Sequence, residues 1–248
     1  MHNNEEVLDY WNQPEVESMY DKHLLALEIS LIRARLSPGA KILDAGCGEG
    51  EGTAAYAGIP GVAIHAVDFS ETRLAKAADR LAGVTNVVLK RVDFLSEYSL
   101  DHDYDFVVSQ RFLINLMDWE LQQRVILDLM SRLRPGGRLL MLEGSQQGVD
   151  SLNAFRDMWG LPPIPVKWHN LFIEDLRLEV FMAKHGYPLV DQDGLGAYFL
   201  LTRGIRPALD PKVNWDSRFN EAAAGSAVGH ALALGSKFSR LKLWCFER

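Results

Sequence analysis

The chain has 248 residues, near the upper size for one domain, and 48% of them are hydrophobic, enough to bury a full core. A formal net charge of −7 argues against broad nucleic-acid binding. Two cysteines, Cys47 and Cys245, make no disulfide framework and lack zinc spacing, which fits a reducing cytosol. No apolar run reaches the ~18 to 20 residues a membrane span needs, and the polar, acidic opening Met1-His2-Asn3-Asn4-Glu5-Glu6 is unlike a secretory leader.

Residues 15–36 read as one amphipathic helix, apolar from Leu24 to Leu36 with Arg33 and Arg35 in its last turn, and Ser37-Pro38-Gly39 breaks it. Strands are then expected at 41–45, 62–67, 87–92, 104–109 and 137–143, with helices at about 52–57, 71–82 and 119–133 between them. Ser70 is placed to cap the second of these helices, and Arg134-Pro135-Gly136-Gly137 to turn the chain into the fifth strand. After Glu143 the rhythm stops. Residues 144–195 read as an irregular insertion with one helical stretch at 173–185; 198–202 reads as a strand, 218–234 as an alanine-rich helix and 241–246 as the closing strand.

This alternation implies an α/β fold: a doubly wound, Rossmann-like, mostly parallel seven-stranded sheet with helices on both faces. Ligands of such sheets sit at the carboxyl ends of the strands. Here those ends are Asp44, Asp68, Asp93, Ser109-Gln110-Arg111 and Glu143, all polar although their strands are not. Gly46, Gly48 and Gly50 let the backbone turn tightly and come close to a ligand. Their spacing is not the Gly-x-Gly-x-x-Gly of a pyrophosphate loop, and Asp44 directly before them repels phosphate while suiting a cationic or amine-bearing ligand. Cys47 reads as a small packing residue, with no base in evidence beside it.

Five ordered motifs carry a family resemblance: Asp44-Ala45-Gly46-Cys47-Gly48-Glu49-Gly50, Val67-Asp68-Phe69-Ser70, Val92-Asp93-Phe94, Tyr104-Asp105-Phe106-Val107-Val108 and Leu133-Arg134-Pro135-Gly136-Gly137. On these the chain resembles the class I methyltransferases that use S-adenosylmethionine (SAM), over about residues 38–143. The resemblance implies an antiparallel last strand and SAM as cofactor with S-adenosylhomocysteine (SAH) as product; no metal is expected, since no His-x-Glu or paired-carboxylate signature appears. By position, Gly46, Gly48 and Gly50 would pack under the methionine and ribose, and Asp44 would belong to the same cofactor site. Asp68 would accept both ribose hydroxyls, since a carboxylate takes two hydrogen bonds at once. Phe69 would lie along the adenine, and Asp93 and Phe94 would flank it. Gln110 and Arg111 would sit near the methionine end and the transferred methyl. Arg111 departs from the small or aromatic residue usual there and is read as meeting the SAM carboxylate or an anionic substrate.

The acceptor is expected under residues 144–195, with the first 37 residues as a helical cap opposite, over a methyltransferase domain at 38–248. His169 is the favoured general base, because an unperturbed imidazole titrates near ~6.5; Glu143 is the second choice. Trp168 and Asn170 flank His169, and Tyr20 is placed on the cap wall. Asn115, Tyr198 and Arg203 are further substrate candidates, Arg203 for an acidic group. Each also has a plain reading: a packed loop histidine, a core tryptophan, a turn asparagine, a solvated arginine. A weaker resemblance, at Leu113-Ile114-Asn115-Leu116 and Trp168-His169-Asn170-Leu171, is to bacterial small-molecule methyltransferases of sugar, polysaccharide or natural-product pathways. The expectation is a cytoplasmic monomer or homodimer that methylates a small molecule, at oxygen in preference to nitrogen, with no nucleic-acid or membrane partner. The rival readings are a non-catalytic SAM-binding regulatory or partner protein and, less favoured, a nicotinamide-dependent oxidoreductase.

Overall fold

A computed structural model describes residues 4–17, 19–212 and 214–248. Its opening is two helices, α1 (Asn4–Asn12) and α2 (Lys22–Arg33), where one helix over 15–36 is expected from sequence. Pro14 lies between them, and Asp21 caps α2 by accepting from the Leu24 N–H at 3.0 Å. Ser18, part of the expected single helix, lies outside the described residues.

The alternating core follows: β1 (Lys41–Ala45), α3 (Glu51–Ala57), β2 (Ala63–Asp68), α4 (Glu71–Arg80), β3 (Val87–Arg91), β4 (Tyr104–Gln110), α5 (Trp119–Arg132) and β5 (Leu133–Gly144). With β6 (Leu189–Gly194) and β7 (Leu241–Glu247) they build one seven-stranded sheet in the order β3-β2-β1-β4-β5-β7-β6. Strands β1 to β5 pair in parallel, and β7 runs antiparallel to both neighbours. The chain leaves β1 toward β2 and later returns to β4 on its other side. That reversal opens a crevice beyond the ends of β1 and β4, the usual ligand position in such sheets.

Neighbouring residues of the inner strands feed opposite cores. Leu43, Val107 and Met141 face α5 and its surroundings, while Ile42, Val108 and Leu140 face the side of Tyr56 and Tyr198. Burial on both faces explains why these strands read as continuous apolar runs rather than alternating ones. Each fully buried Leu or Ile contributes on the order of 2 kcal/mol.

Beyond Glu143 the structure departs from the sequence expectation. The stretch 144–195 is mostly regular: α6 (Gln146–Asp157), capped by Ser145, then a cover loop at 158–174, α7 (Asp175–Lys184) and β6. The sixth strand is therefore 189–194. Residues 198–202 are helical, within α8 (Gly196–Phe199), a π-helical turn (Leu200–Ile205) and α9 (Arg206–Leu209). A short apolar run does not distinguish a buried strand from a buried helix. Strand β6 escapes notice because Leu-Val-Asp-Gln-Asp-Gly is a charged, exposed edge, held by pairing to β7 rather than by burial. Gly196 tolerates no side chain, since a Cβ there would stand 2.0 Å from the Lys237 carbonyl oxygen. The expected helix at 218–234 is two, α10 (Arg218–Ala223) and α11 (Ser226–Leu232), parted at Ala224-Gly225.

Candidate active site

A cavity of about 730 Å³ opens over the ends of β1, β2 and β4, walled by α1, α2, the cover loop and the 199–215 segment. Its floor is the glycine loop. The N–H groups of Gly46 and Cys47 donate to the Val67 carbonyl at 2.8 and 2.9 Å, which folds the loop across the end of β2. Gly46 has φ +73°, and a Cβ there would stand 2.6 Å from the Phe112 Cβ, so both backbone and space require glycine. The Gly48 N–H donates to Asp68 Oδ2 at 2.9 Å, while Asp68 Oδ1 accepts from the Ser70 N–H at 2.9 Å. A carboxylate has about four lone-pair sites, so Asp68 keeps acceptor capacity for a ligand. Burial pushes its pKa up, and the bonds from Ser70 and Gly48 oppose that.

Asp44 is 4% exposed, and Thr53 donates a hydroxyl to it at 2.6 Å. Burial drives its pKa to about 6 against that bond, and repulsion from Asp68 adds to the rise. Two buried acids around a glycine backbone suit a ligand that brings positive charge and hydroxyl donors. Asp93 turns its own loop, accepting from the Leu95 N–H at 2.9 Å and the Ser96 hydroxyl at 2.7 Å. Phe94 packs 5.1 Å from both Phe112 and Tyr98, and with Phe69 it lines the cavity.

Gln110 and Arg111 meet an acid that the sequence reading overlooked. Glu28, fully buried on α2, accepts from Gln110 Nε2 at 2.8 Å and lies 3.0 Å from Arg111 Nε. Its burial pushes its pKa up, and Arg111 opposes the rise. The signal was present: Leu24, Leu25, Glu28 and Ile32 form one buried helix stripe, and a carboxylate within it demands a partner.

Around the opposite half, His169 is 4% exposed and stacks on Tyr10 at 4.5 Å, with Trp11 edge-on at 5.4 Å. Its Nδ1 has no hydrogen-bond partner among the described residues. Burial, then the Lys167 charge, lowers its pKa to about 4, so the ring is neutral at pH 7. Asn115 ties three elements together: its Oδ1 accepts from Trp11 Nε1 at 3.0 Å and Asn170 Nδ2 at 3.1 Å, and its Nδ2 donates to the Arg111 carbonyl at 2.7 Å. Trp168 is 42% exposed and stands behind the wall, beside Tyr10, while Tyr20 sits at the rim.

Two other candidates are occupied elsewhere. Glu143 lies outside the cavity lining, fully buried. It accepts from the Ser109 hydroxyl at 2.5 Å and from the N–H groups of Phe112, Leu113 and Ile114 at 3.1, 3.1 and 3.3 Å. Its carboxylate thus anchors the 3-10 turn Leu113–Asn115, and burial lifts its pKa to about 7 against those bonds. Tyr198 is likewise turned from the cavity, giving its hydroxyl to Asp21 at 2.8 Å. Asp21 also pairs with Arg203, which does line the cavity. Among the described residues, no group of three or more His, Cys, Asp or Glu is placed to hold a metal, and no helix is long and apolar enough to cross a membrane.

The chain is similar to known proteins in sequence and in fold. Residues 42–137 match the family described as methyltransferase domain. A demethylmenaquinone methyltransferase of Staphylococcus aureus is 33% identical over 126 residues, 50% of this chain and 49% of that protein. The chain thus spans about half the length of the curated relatives it matches. Among solved structures, a SAM-dependent methyltransferase from Thiobacillus denitrificans in complex with SAH aligns at TM-score 0.51 and 17% identity, over 89% of this chain and 91% of the other. The [4+2]-cyclase SpnF aligns at 0.60 and 18%, over 95% and 85%. A putative methyltransferase bound to the Haloferax volcanii Trm112 activator aligns at 0.62 and 14%, over 100% and 98%. With a methyltransferase domain match over residues 42–137, and a seven-stranded sheet whose last strand is antiparallel, the chain is similar in sequence and fold to the class I SAM-dependent methyltransferases.

Proposed function

We propose that this protein transfers a methyl group from SAM to a small-molecule acceptor, at oxygen in preference to nitrogen, in sugar, polysaccharide or natural-product biosynthesis. The observation that carries the reading is one cavity with two halves, an acidic glycine-loop half and a covered aromatic half continuous with it. SAM supplies an activated methyl on a sulfonium. The methyl moves to the acceptor oxygen, the sulfonium leaves as the neutral thioether of SAH, and the acceptor proton passes to a base or to water. Asp68 holds the ribose, and Asp44 faces the positive end of the cofactor. His169 is the proposed base; its neutral ring has an unpartnered Nδ1 and sits in the cavity wall. A carboxylate as saturated as Glu143 is given the role of positioning the 112–115 backbone instead.

The likeness to a cyclase favours a second reading, SAM binding without methyl transfer, because one fold hosts several chemistries. The open acceptor half speaks for catalysis, since a purely regulatory site needs no second chamber. Calorimetry with SAM, followed by SAH release in a pool of hydroxylated small molecules, tests both. Binding with SAH release is expected. Binding without SAH release from any acceptor supports the second reading, and no binding contradicts both.

A further inference from the structure

The charges around the cavity are largely sorted by sign, with Arg73 on α4 the exception, a lining cation paired with Glu49 beside the glycine loop. Asp44, Asp68 and Asp93 stand together at the strand ends of the glycine-loop half. The other lining cations gather elsewhere: Arg156 on α6, Lys167 on the cover loop, Arg206 on α9 and Arg240 just before β7, with Arg111 and Arg203 beside them. Glu28 answers Arg111, and Asp21 answers Arg203. The other four have no carboxylate within 4.0 Å among the described residues. Arg156 and Arg206 are fixed by carbonyls alone, those of Pro162, Arg203, Thr202 and Lys212, which orient a guanidinium without cancelling its charge.

Lys167 and Arg240 are freer still. Among the described residues neither head group makes a hydrogen bond, and the Arg240 guanidinium lies 5.1 Å over the Phe172 ring. Each feels the like charges around it. Burial and then Arg240 and Arg111 lower the Lys167 pKa, and burial followed by Arg203 and Arg111 lowers that of Arg240 to about 10. Like charges gathered on one cavity wall repel one another. An arrangement of that kind is relieved by a bound anion, and an arginine fork takes a carboxylate or phosphate with two parallel bonds.

We propose that the covered half of the cavity is an anion subsite, and that the methyl acceptor carries a carboxylate or phosphate held by Lys167 and Arg240, with its flat portion against the Tyr10 and His169 rings. This rests on the methyltransferase reading of the cavity. It also bears on the proposed base, because an anion beside Lys167 offsets the charge that helps to hold His169 unprotonated.

The test uses the full chain saturated with SAH and titrated calorimetrically with benzoate, phenyl phosphate and the neutral isostere benzamide. Benzoate or phenyl phosphate should bind at least about tenfold more tightly than benzamide, and weaken with added salt. Which of the two binds better assigns the group as carboxylate or phosphate. Arg240→Gln and the more exposed Lys167→Gln should each cost about tenfold in that affinity with SAH affinity unchanged; Lys167→Gln alone decides if Arg240→Gln does not fold. Equal binding of all three probes, or unchanged anion affinity in the variants, overturns the subsite while leaving the methyltransferase reading in place. Weakened SAH binding in the variants also overturns it, since the cations would then serve the cofactor carboxylate. Failure of the wild type to bind SAH overturns the methyltransferase reading, and the subsite with it.

Discussion

The two halves of the cavity solve opposite electrostatic problems. The glycine-loop half buries Asp44 and Asp68, and the Asp68 charge adds to the rise that burial gives the Asp44 pKa. The covered half holds cations that repel each other until an anion arrives. Each half is suited to a ligand of the other sign. The lesson is that a donor with a sulfonium and an acceptor with an acid group can be sorted by charge before shape enters.

Four changes would break or sharpen that comparison. Gly46→Val should do most, because it forces a β-branched residue to φ +73° and drives its Cβ into Phe112. A destabilisation of about 3 kcal/mol or more is expected in urea unfolding, with cofactor binding lost. A full-affinity variant would show that the loop does not approach the ligand closely. Glu143→Ala comes next. It leaves three backbone N–H groups and the Ser109 hydroxyl without their acceptor. About 3 kcal/mol of stability should go, with turnover reduced in the folded fraction. The sign with pH follows from its raised pKa of about 7: the folded state binds the proton more tightly, so stability falls as pH rises from about 4.5 through 7. Stability that grew over that interval would contradict the assignment.

Smaller effects separate the halves. His169→Ala should lower turnover by about tenfold and spare SAM affinity, less than the ~100-fold of a well-matched base, because a group titrating near 4 is a weak one. Unchanged turnover would remove His169 from the mechanism. Asp44 predicts a pH dependence. Its carboxyl titrates near 6 without ligand, and a cationic ligand favours its charged form. SAM affinity should therefore rise, by about tenfold at most, between about pH 5 and 7, while SAH, which has no sulfonium charge, should show a shallower slope. Equal slopes would place the sulfonium away from Asp44.

The glycine-loop half was legible in the sequence because it is local. Asp44 to Gly50 is one uninterrupted stretch, and Asp68 and Asp93 each follow directly on a strand of recognisable pattern. The covered half is assembled from afar. Trp11 reaches Asn115 across 104 positions, and Asp21 meets Tyr198 across 177. No spacing rule connects such pairs. Tyr198 was misplaced for a simpler reason, an apolar run whose length fits strand and helix alike. Glu143 was placed correctly at the end of β5, but its four donors come from a turn whose path the sequence does not announce. Glu28 lies between these cases: its helix face was readable, its partners were not.

The account rests most heavily on Asp68, which joins the glycine loop to the expected ribose through its bond from the Gly48 N–H. Calorimetric titration of SAM into the wild type and into Asp68→Ala tests it directly. The account predicts one saturating site in the wild type and at least about a hundredfold loss in the variant, from two charge-assisted bonds of about 1.5 kcal/mol or more each. Absence of binding in the wild type, or equal affinity in Asp68→Ala, would contradict it.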